Sequence, residues 1–263
     1  MDHTNIPDII DFVKCPLENA SFIKLCRKKI NKNGVLTLPN FLNKQIVQQL
    51  VKEGRDVQHK AFFSNSTHNV YLTKNNLELS DDHIFNRQVV SSKGCITDDQ
   101  ILEISPLKTL YNSKIFREFL ASVLGEQKLY EYADGLSSIN VHYASEGEEL
   151  GWHFDNSSFA ITLLLQAPEA GGSFEYIKDL RDSETEEMNF EGVKSLLEGI
   201  TKPQLLKVEP GTLVLFRGKN SIHRVTPTRG NKTRMLVVLA YNTKPNISLS
   251  KSAQMTFFGR TSD

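Results

Sequence analysis

From residue 128 to residue 241 the chain is a succession of short apolar or alternating runs, at 128–132, 138–144, 150–154, 159–166, 173–177, 205–208, 212–216, 221–226 and 235–241. Turn-forming pairs separate most of them, among them Glu146-Gly147, Gly171-Gly172, Pro210-Gly211 and Gly230-Asn231. Strands this short and this regularly punctuated bury a face only by stacking sheets or curling one, which points to a β-sandwich, barrel or jelly roll. One stretch breaks the rhythm. Residues 178–203 carry an acidic run, Asp182 to Glu187, and a short apolar pattern over 190–197 that predicts a helix, so the stretch reads as an insertion between two strands.

The first half is different in kind. Phe22, Leu25, Cys26 and Ile30 fall on one helical face over 18–32, and Asn33-Gly34 supplies the stop. A short strand over 34–38 follows, then a helix from Asn43 to Val51, and a single helix over 106–124 that closes at Gly125. Residues 64–99 are polar and turn-rich throughout and predict an irregular binding loop or lid. His59, His68 and His83 fall in or beside this stretch, where an isolated histidine is usually a surface residue. The chain of 263 residues is long enough to bury a core without staples, and it reads as one domain. Within it, 1–127 forms a helical and lid region, 128–245 a β core, and 246–263 a C-terminal segment beside the active site.

Composition narrows the partners. Lys plus Arg equals Asp plus Glu at 31 each, without the basic surplus that phosphate neutralisation demands, so nucleic acid is not the expected partner. Cys15, Cys26 and Cys95 are odd in number, scattered and free of C-x-x-C spacing, which suggests neither a disulfide framework nor a thiolate zinc site. The N-terminus has no basic stretch followed by an apolar one, and no apolar run approaches the roughly 20 residues of a membrane span. A cytoplasmic protein without a membrane partner is expected, its oligomeric state open.

Three side chains in the β half carry chemistry. In His153-Phe154-Asp155, alternation sends His153 and Asp155 to one face of a strand and Phe154 to the other. His223 lies on a later strand. Two imidazoles and one carboxylate on one side of a metal leave the opposite side open, the facial arrangement of non-haem Fe(II) oxygenases. Arg234 opens the last strand, eleven residues after His223, where its guanidinium can grip a carboxylate of a metal-chelating cosubstrate from deeper in the barrel. Arg224 and Arg229 are rivals, but alternation turns Arg224 away from His223, and Arg229 sits in a turn. Asn140 and His142 share a strand face and are candidates either for cosubstrate contact or for a hydrogen-bonded core role.

In this order of motifs the chain resembles the 2-oxoglutarate/Fe(II) oxygenase superfamily. Tyr132-Ala133-Asp134, the segments 151–156, 162–166 and 215–218, His223 to Pro227, and Ala240-Tyr241-Asn242 are similar to the BesD-like enzymes, which halogenate or hydroxylate free amino acids, notably lysine. The resemblance extends from about Gly34 to Arg260. It implies an α+β fold, a double-stranded β-helix (jelly roll, cupin-like) with N-terminal flanking helices. It also implies Fe(II), 2-oxoglutarate and O2 as cofactors, with hydroxylation coupled to release of succinate and carbon dioxide.

Halogenases of this kind have Gly or Ala where the carboxylate would be. Asp155 stands there in this chain, so hydroxylation at an unactivated side-chain carbon is expected. For a lysine substrate, Asp134 is the expected partner of the ammonium. Asn156, Asn242 and Arg87 would meet the amino-acid head group, and Trp152 and Phe258 would line the cavity. The alternatives are a hydroxylase of a protein side chain or a carrier-tethered amino acid, and a cupin-like metal-binding module without turnover.

Overall fold

The computed structural model describes residues 5–262. The N-terminal third comprises α1 (Ile6–Ile9), α2 (Ala20–Asn33), β1 (Val35–Leu38), α3 (Lys44–Val57), β2 (Phe62–Asn69) and β3 (Gln88–Ile96). Next come α4 (Pro106–Asn112), α5 (Lys114–Leu124), β4 (Ile139–Ala144), β5 (Leu150–His153), β6 (Ala160–Gln166), β7 (Ala170–Gly171) and β8 (Phe174–Ile177). The chain finishes with α6 (Phe190–Leu197), β9 (Gln204–Leu206), β10 (Leu213–Phe216), β11 (Ile222–Val225), β12 (Thr228–Arg229), β13 (Arg234–Leu239) and α7 (Lys251–Phe258).

Eleven strands form one curled sheet in the order β1-β10-β6-β13-β4-β3-β5-β11-β8-β9, with β2 paired to β3. The curl brings two walls face to face. One consists of β1, β10, β6, β13 and β4, and the other of β5, β11, β8 and β9. Strand β3 joins them, pairing with β4 over Gly94–Ile96 and with β5 at Ser91. This is the double-stranded β-helix architecture, with helices laid on the outside of the larger wall.

Alternation along that larger wall explains its two faces. Ile139, Val141 and Tyr143 of β4, Ile161, Leu163 and Leu165 of β6, and Met235, Val237 and Leu239 of β13 bury into one apolar cluster. Ile30 of α2, Leu50 of α3 and Phe116, Phe119 and Leu120 of α5 complete that cluster from outside. The intervening residues, including Asn140, His142, Ala144 and Arg234, therefore face the space between the walls. Helix ends follow local chemistry: Gly34 and Gly125 take left-handed conformations, with φ of 72° and 87°, and terminate α2 and α5.

Several expectations need correction. The stretch 64–99 is no free loop, because Phe62 to Asn69 pairs in register with Gln88 to Cys95 and only the connection 70–87 is irregular. The helix expected over 106–124 is two helices. Ser113 ends α4 in an extended conformation and then caps α5 by accepting a hydrogen bond from Phe116 N at 3.3 Å. Helix α3 runs on to Val57, past the expected end at Val51. The run 128–132 forms no strand, only an isolated bridge between Tyr130 and Asn242. No helix among the described residues is long and apolar enough to cross a membrane.

Candidate metal centre

Strand β5 delivers His153 to the inner face, and β11, its partner in the sheet, delivers His223 directly opposite. The strand ends at His153, but Phe154 N donates to Val70 O (2.8 Å) and Asp155 N to Gly218 O (3.0 Å), which holds the next two residues in place. Asp155 thereby stays on the same side as His153. Its Oδ1 lies 3.7 Å from His153 Nε2 and 3.5 Å from His223 Nε2. One ligand atom from each of the three residues falls within 4.8 Å of the others.

Local hydrogen bonds aim the imidazoles. His153 Nδ1 donates to Gly151 O (2.8 Å) and His223 Nδ1 to Ser221 O (3.0 Å), each a carbonyl two residues back along the chain. A ring whose Nδ1 carries the proton presents Nε2 as a lone pair, so both rings offer an acceptor to the same point. Burial, reinforced by the neighbouring His223, pushes His153 down to about 3, which keeps it neutral at physiological pH. Burial pushes the Asp155 carboxyl up, but His223 and then His153 outweigh it, and the net shift is downward. Asp155 Oδ2 is buried without any hydrogen-bond partner. A carboxylate whose Oδ1 faces two converging Nε2 atoms, and whose Oδ2 finds no donor among the described residues, fits a divalent cation.

Two glycines make room. A Cβ on Gly218 would lie 1.8 Å from Asp155 Oδ2, and one on Gly151 would lie 2.5 Å from Val90 O. Both positions admit only a hydrogen where the carboxylate and the β3 backbone come close. Ser91 Oγ accepts from Gly151 N (3.0 Å) and itself lies 2.7 Å from His68 Nε2. The His68 ring meets His153 edge-on at 6.2 Å between centroids. His68, expected as a surface residue, is thus part of the scaffold behind the metal-facing imidazole.

Deeper between the walls lies a group of nitrogen side chains. Arg234 is half-buried, and burial pushes its guanidinium down to about 10, so it remains a cation at neutral pH. Among the described residues it makes no ion pair within 4.0 Å. The two rivals are committed elsewhere: Arg224 pairs with Glu175 at 2.7 Å and lies over the Trp152 ring, and Arg229 is exposed on β12. His142 is held well below the usual imidazole range by burial and then by the charges of Lys93 and Arg234. Lys93 Nζ stands 3.2 Å from both ring nitrogens of His142. Asn140 shares their face, but its amide nitrogen is spent on Leu136 O (2.8 Å) and Ile139 O (3.0 Å), a local structural role for that end of the side chain.

The expected substrate residues fare unevenly. Asp134 is not an open counter-charge. Its Oδ1 accepts from Leu136 N, Ser137 N and Ser137 Oγ, and its Oδ2 accepts from Leu249 N at 3.0 Å. A short acidic side chain at the start of a turn caps that turn's amides, and here it also tethers the C-terminal segment. Trp152 is turned the wrong way for the cavity, since alternation places it with Phe154 in the cluster around Val70, Tyr71 and Ile222. Phe258 is buried against Cys95 and Leu136, holding α7 onto the sheet. Arg87 and Asn156 are exposed, the first at the start of β3 and the second directly after Asp155. Asn242 is half-buried, and its side-chain nitrogen has no partner.

Comparison with known proteins agrees with this geometry. A sequence model described as Halogenase D matches residues 18–257. In three dimensions the chain is similar to a 2OG-Fe(II) oxygenase-family protein from Burkholderia pseudomallei (TM-score 0.55, 12% identity, covering 88% of this chain and 95% of that one). It is also similar to SnoK, a non-heme alpha-ketoglutarate-dependent carbocyclase from nogalamycin biosynthesis (TM-score 0.59, 12% identity, 86% and 85%). A prolyl-4-hydroxylase from Pseudomonas putida matches at TM-score 0.50 and 13% identity over 82% of this chain and 96% of that one. At such identities these structures establish the fold, which agrees with the double-stranded β-helix. No curated protein matches the sequence.

Proposed function

The chain belongs to the halogenase D family, and from that premise we propose that it is an Fe(II)/2-oxoglutarate-dependent hydroxylase of a free amino acid, with L-lysine the first substrate to test. The observation that carries the reading is the convergence of His153 Nε2, His223 Nε2 and Asp155 Oδ1, each imidazole already fixed in the tautomer a metal requires. The bound metal and 2-oxoglutarate would supply the oxidising power, with succinate and carbon dioxide as the co-products. The chain's own residues do the rest. His153, Asp155 and His223 hold one side of the metal, and Arg234 waits deeper in the barrel for a carboxylate it does not find within the protein.

Asp155 supports hydroxylation over halogenation. A halide needs a coordination position the protein leaves vacant, and here a carboxylate oxygen occupies that position between the two imidazoles. Lysine is supported by the resemblance of segments 151–156 and 223–227 to enzymes acting on that amino acid. With Asp134 committed to backbone amides, Asn156 and Arg87 are the polar groups offered to an amino-acid head group at the metal end.

The test is anaerobic loading with Fe(II) and 2-oxoglutarate, followed by oxygen and a panel of free amino acids in chloride buffer. Succinate coupled to a gain of one oxygen atom on lysine is the expected result. A chlorinated product would overturn the hydroxylase reading while leaving the oxygenase family intact. Succinate without any modified free amino acid would move the search to tethered or polypeptide substrates.

A further inference from the structure

Beyond its contact with His142, Lys93 has no part in the proposed chemistry, yet it is a half-buried amine pointed into the barrel. It lies on β3 between Ser91, which pairs with Leu150 of β5, and Gly94, which pairs with Tyr143 of β4. The strand crosses from one wall to the other at this residue. One step along the β3–β4 register from Gly94 and Tyr143 places Lys93 beside Ala144. On the other side of β4, Arg234 is the registered partner of Ala144. Lys93 and Arg234 therefore flank one alanine from the strands on either side of β4 and project from the same inner face, with backbones about 10 Å apart. The Ala144 methyl leaves the space between them open, and His142, two residues away on the same face, forms its floor.

Two cations in this position have no counter-charge. Among the described residues neither Lys93 nor Arg234 makes an ion pair within 4.0 Å. Burial pushes the Lys93 amine down, while the charges of Cys95 and Asp155 act in the opposite direction. Among the described residues its only polar contacts are the two ring nitrogens of His142, which burial and then the two cations hold well below the usual imidazole range. Buried like charges facing one gap are costly unless an anion enters it.

We propose that Lys93 is a second cationic anchor for the distal carboxylate of the 2-oxo acid cosubstrate, closing on it from β3 as Arg234 does from β13. The inference rests on the oxygenase reading above. The guanidinium offers a planar fork and the ammonium a point charge, so together they grip a carboxylate from two sides across Ala144. A monocarboxylic 2-oxo acid would leave both unpaired, and the pair thus selects for a dicarboxylate.

Anaerobic calorimetry on Fe(II)-loaded protein tests this, with 2-oxoglutarate and its monocarboxylic counterpart 2-oxopentanoate as ligands. In Lys93→Met the affinity for 2-oxoglutarate should fall by about 10- to 100-fold, the usual loss for a charged hydrogen bond. Fe(II) affinity and the weaker binding of 2-oxopentanoate should stay as in the native chain, and Lys93→Arg should restore part of the loss. Unchanged 2-oxoglutarate binding in Lys93→Met overturns the inference, and so does an equal loss for both ligands, which would put Lys93 at the metal end. If Lys93→Met does not fold, Lys93→Gln carries the same comparison. Failure of the native metal-loaded chain to bind 2-oxoglutarate would sink the oxygenase reading itself, an outcome distinct from a null effect of the variant.

Discussion

The two faces of the larger wall differ more than any other two regions of this molecule. Outward, Val141, Leu163 and Val237 are fully covered by helices, and every position is apolar and close-packed. Inward, the alternate residues of the same strands carry Asn140, His142 and Arg234, and the neighbouring β3 adds Lys93. One face contributes stability through burial at about 25 cal/mol per Å² of apolar surface. The other gives some of it back, holding cations that make no ion pair among the described residues, across from a smaller wall whose Asp155 has a carboxylate oxygen without a donor. The lesson is that a β-helix separates folding from chemistry by strand alternation, so that adjacent residues serve opposite ends.

The comparison can be broken most sharply from the outer side. Leu163→Ala should cost about 2–5 kcal/mol in urea unfolding, since it empties a fully buried site behind β6. Metal affinity of the remaining folded protein should not change, and a parallel loss of metal binding would show the two faces to be coupled. On the inner side Gly218→Ala should do the reverse. The new methyl displaces Asp155, so metal affinity should drop by about 10- to 100-fold in a chelator competition while the urea midpoint barely moves. The smallest effect sharpens the contrast. Arg234→Met removes a half-buried cation that makes no ion pair among the described residues and should raise the stability of the metal-free protein by about 1 kcal/mol, even as 2-oxoglutarate binding is lost. A net destabilisation would mean that Arg234 has an internal partner after all.

How much was legible depended on how local the cause was. His153, Asp155 and His223 could be read because alternation along short apolar runs assigns a side chain its face, and three groups of the right type shared one. Excluding Arg224 followed from the same rule, and the structure turns it onto Trp152 and Glu175. The same alternation explains why Trp152, expected to line the cavity, packs on the side opposite His153. Lys93 and His68 were hidden because β2 and β3 are polar on both faces over much of their length, which removes the periodic signal and makes the stretch look like loop. The break at Ser113 was concealed by an unbroken apolar pattern on either side of it.

By itself the sequence determined the curled β architecture and the strand face that His153, Asp155, His223 and Arg234 take, because each follows from spacing along one strand or from turns between neighbours. Tertiary structure alone decided what surrounds Asp134, Lys93 and Ala144. Asp134 meets Leu249, which lies 115 residues away along the chain. Lys93 and Arg234 meet across Ala144 only because β3, β4 and β13 lie side by side in the sheet. Hydrogen-bond donors and counter-charges brought together by sheet order leave no periodic trace in sequence, and for a buried ionisable group those partners settle the role.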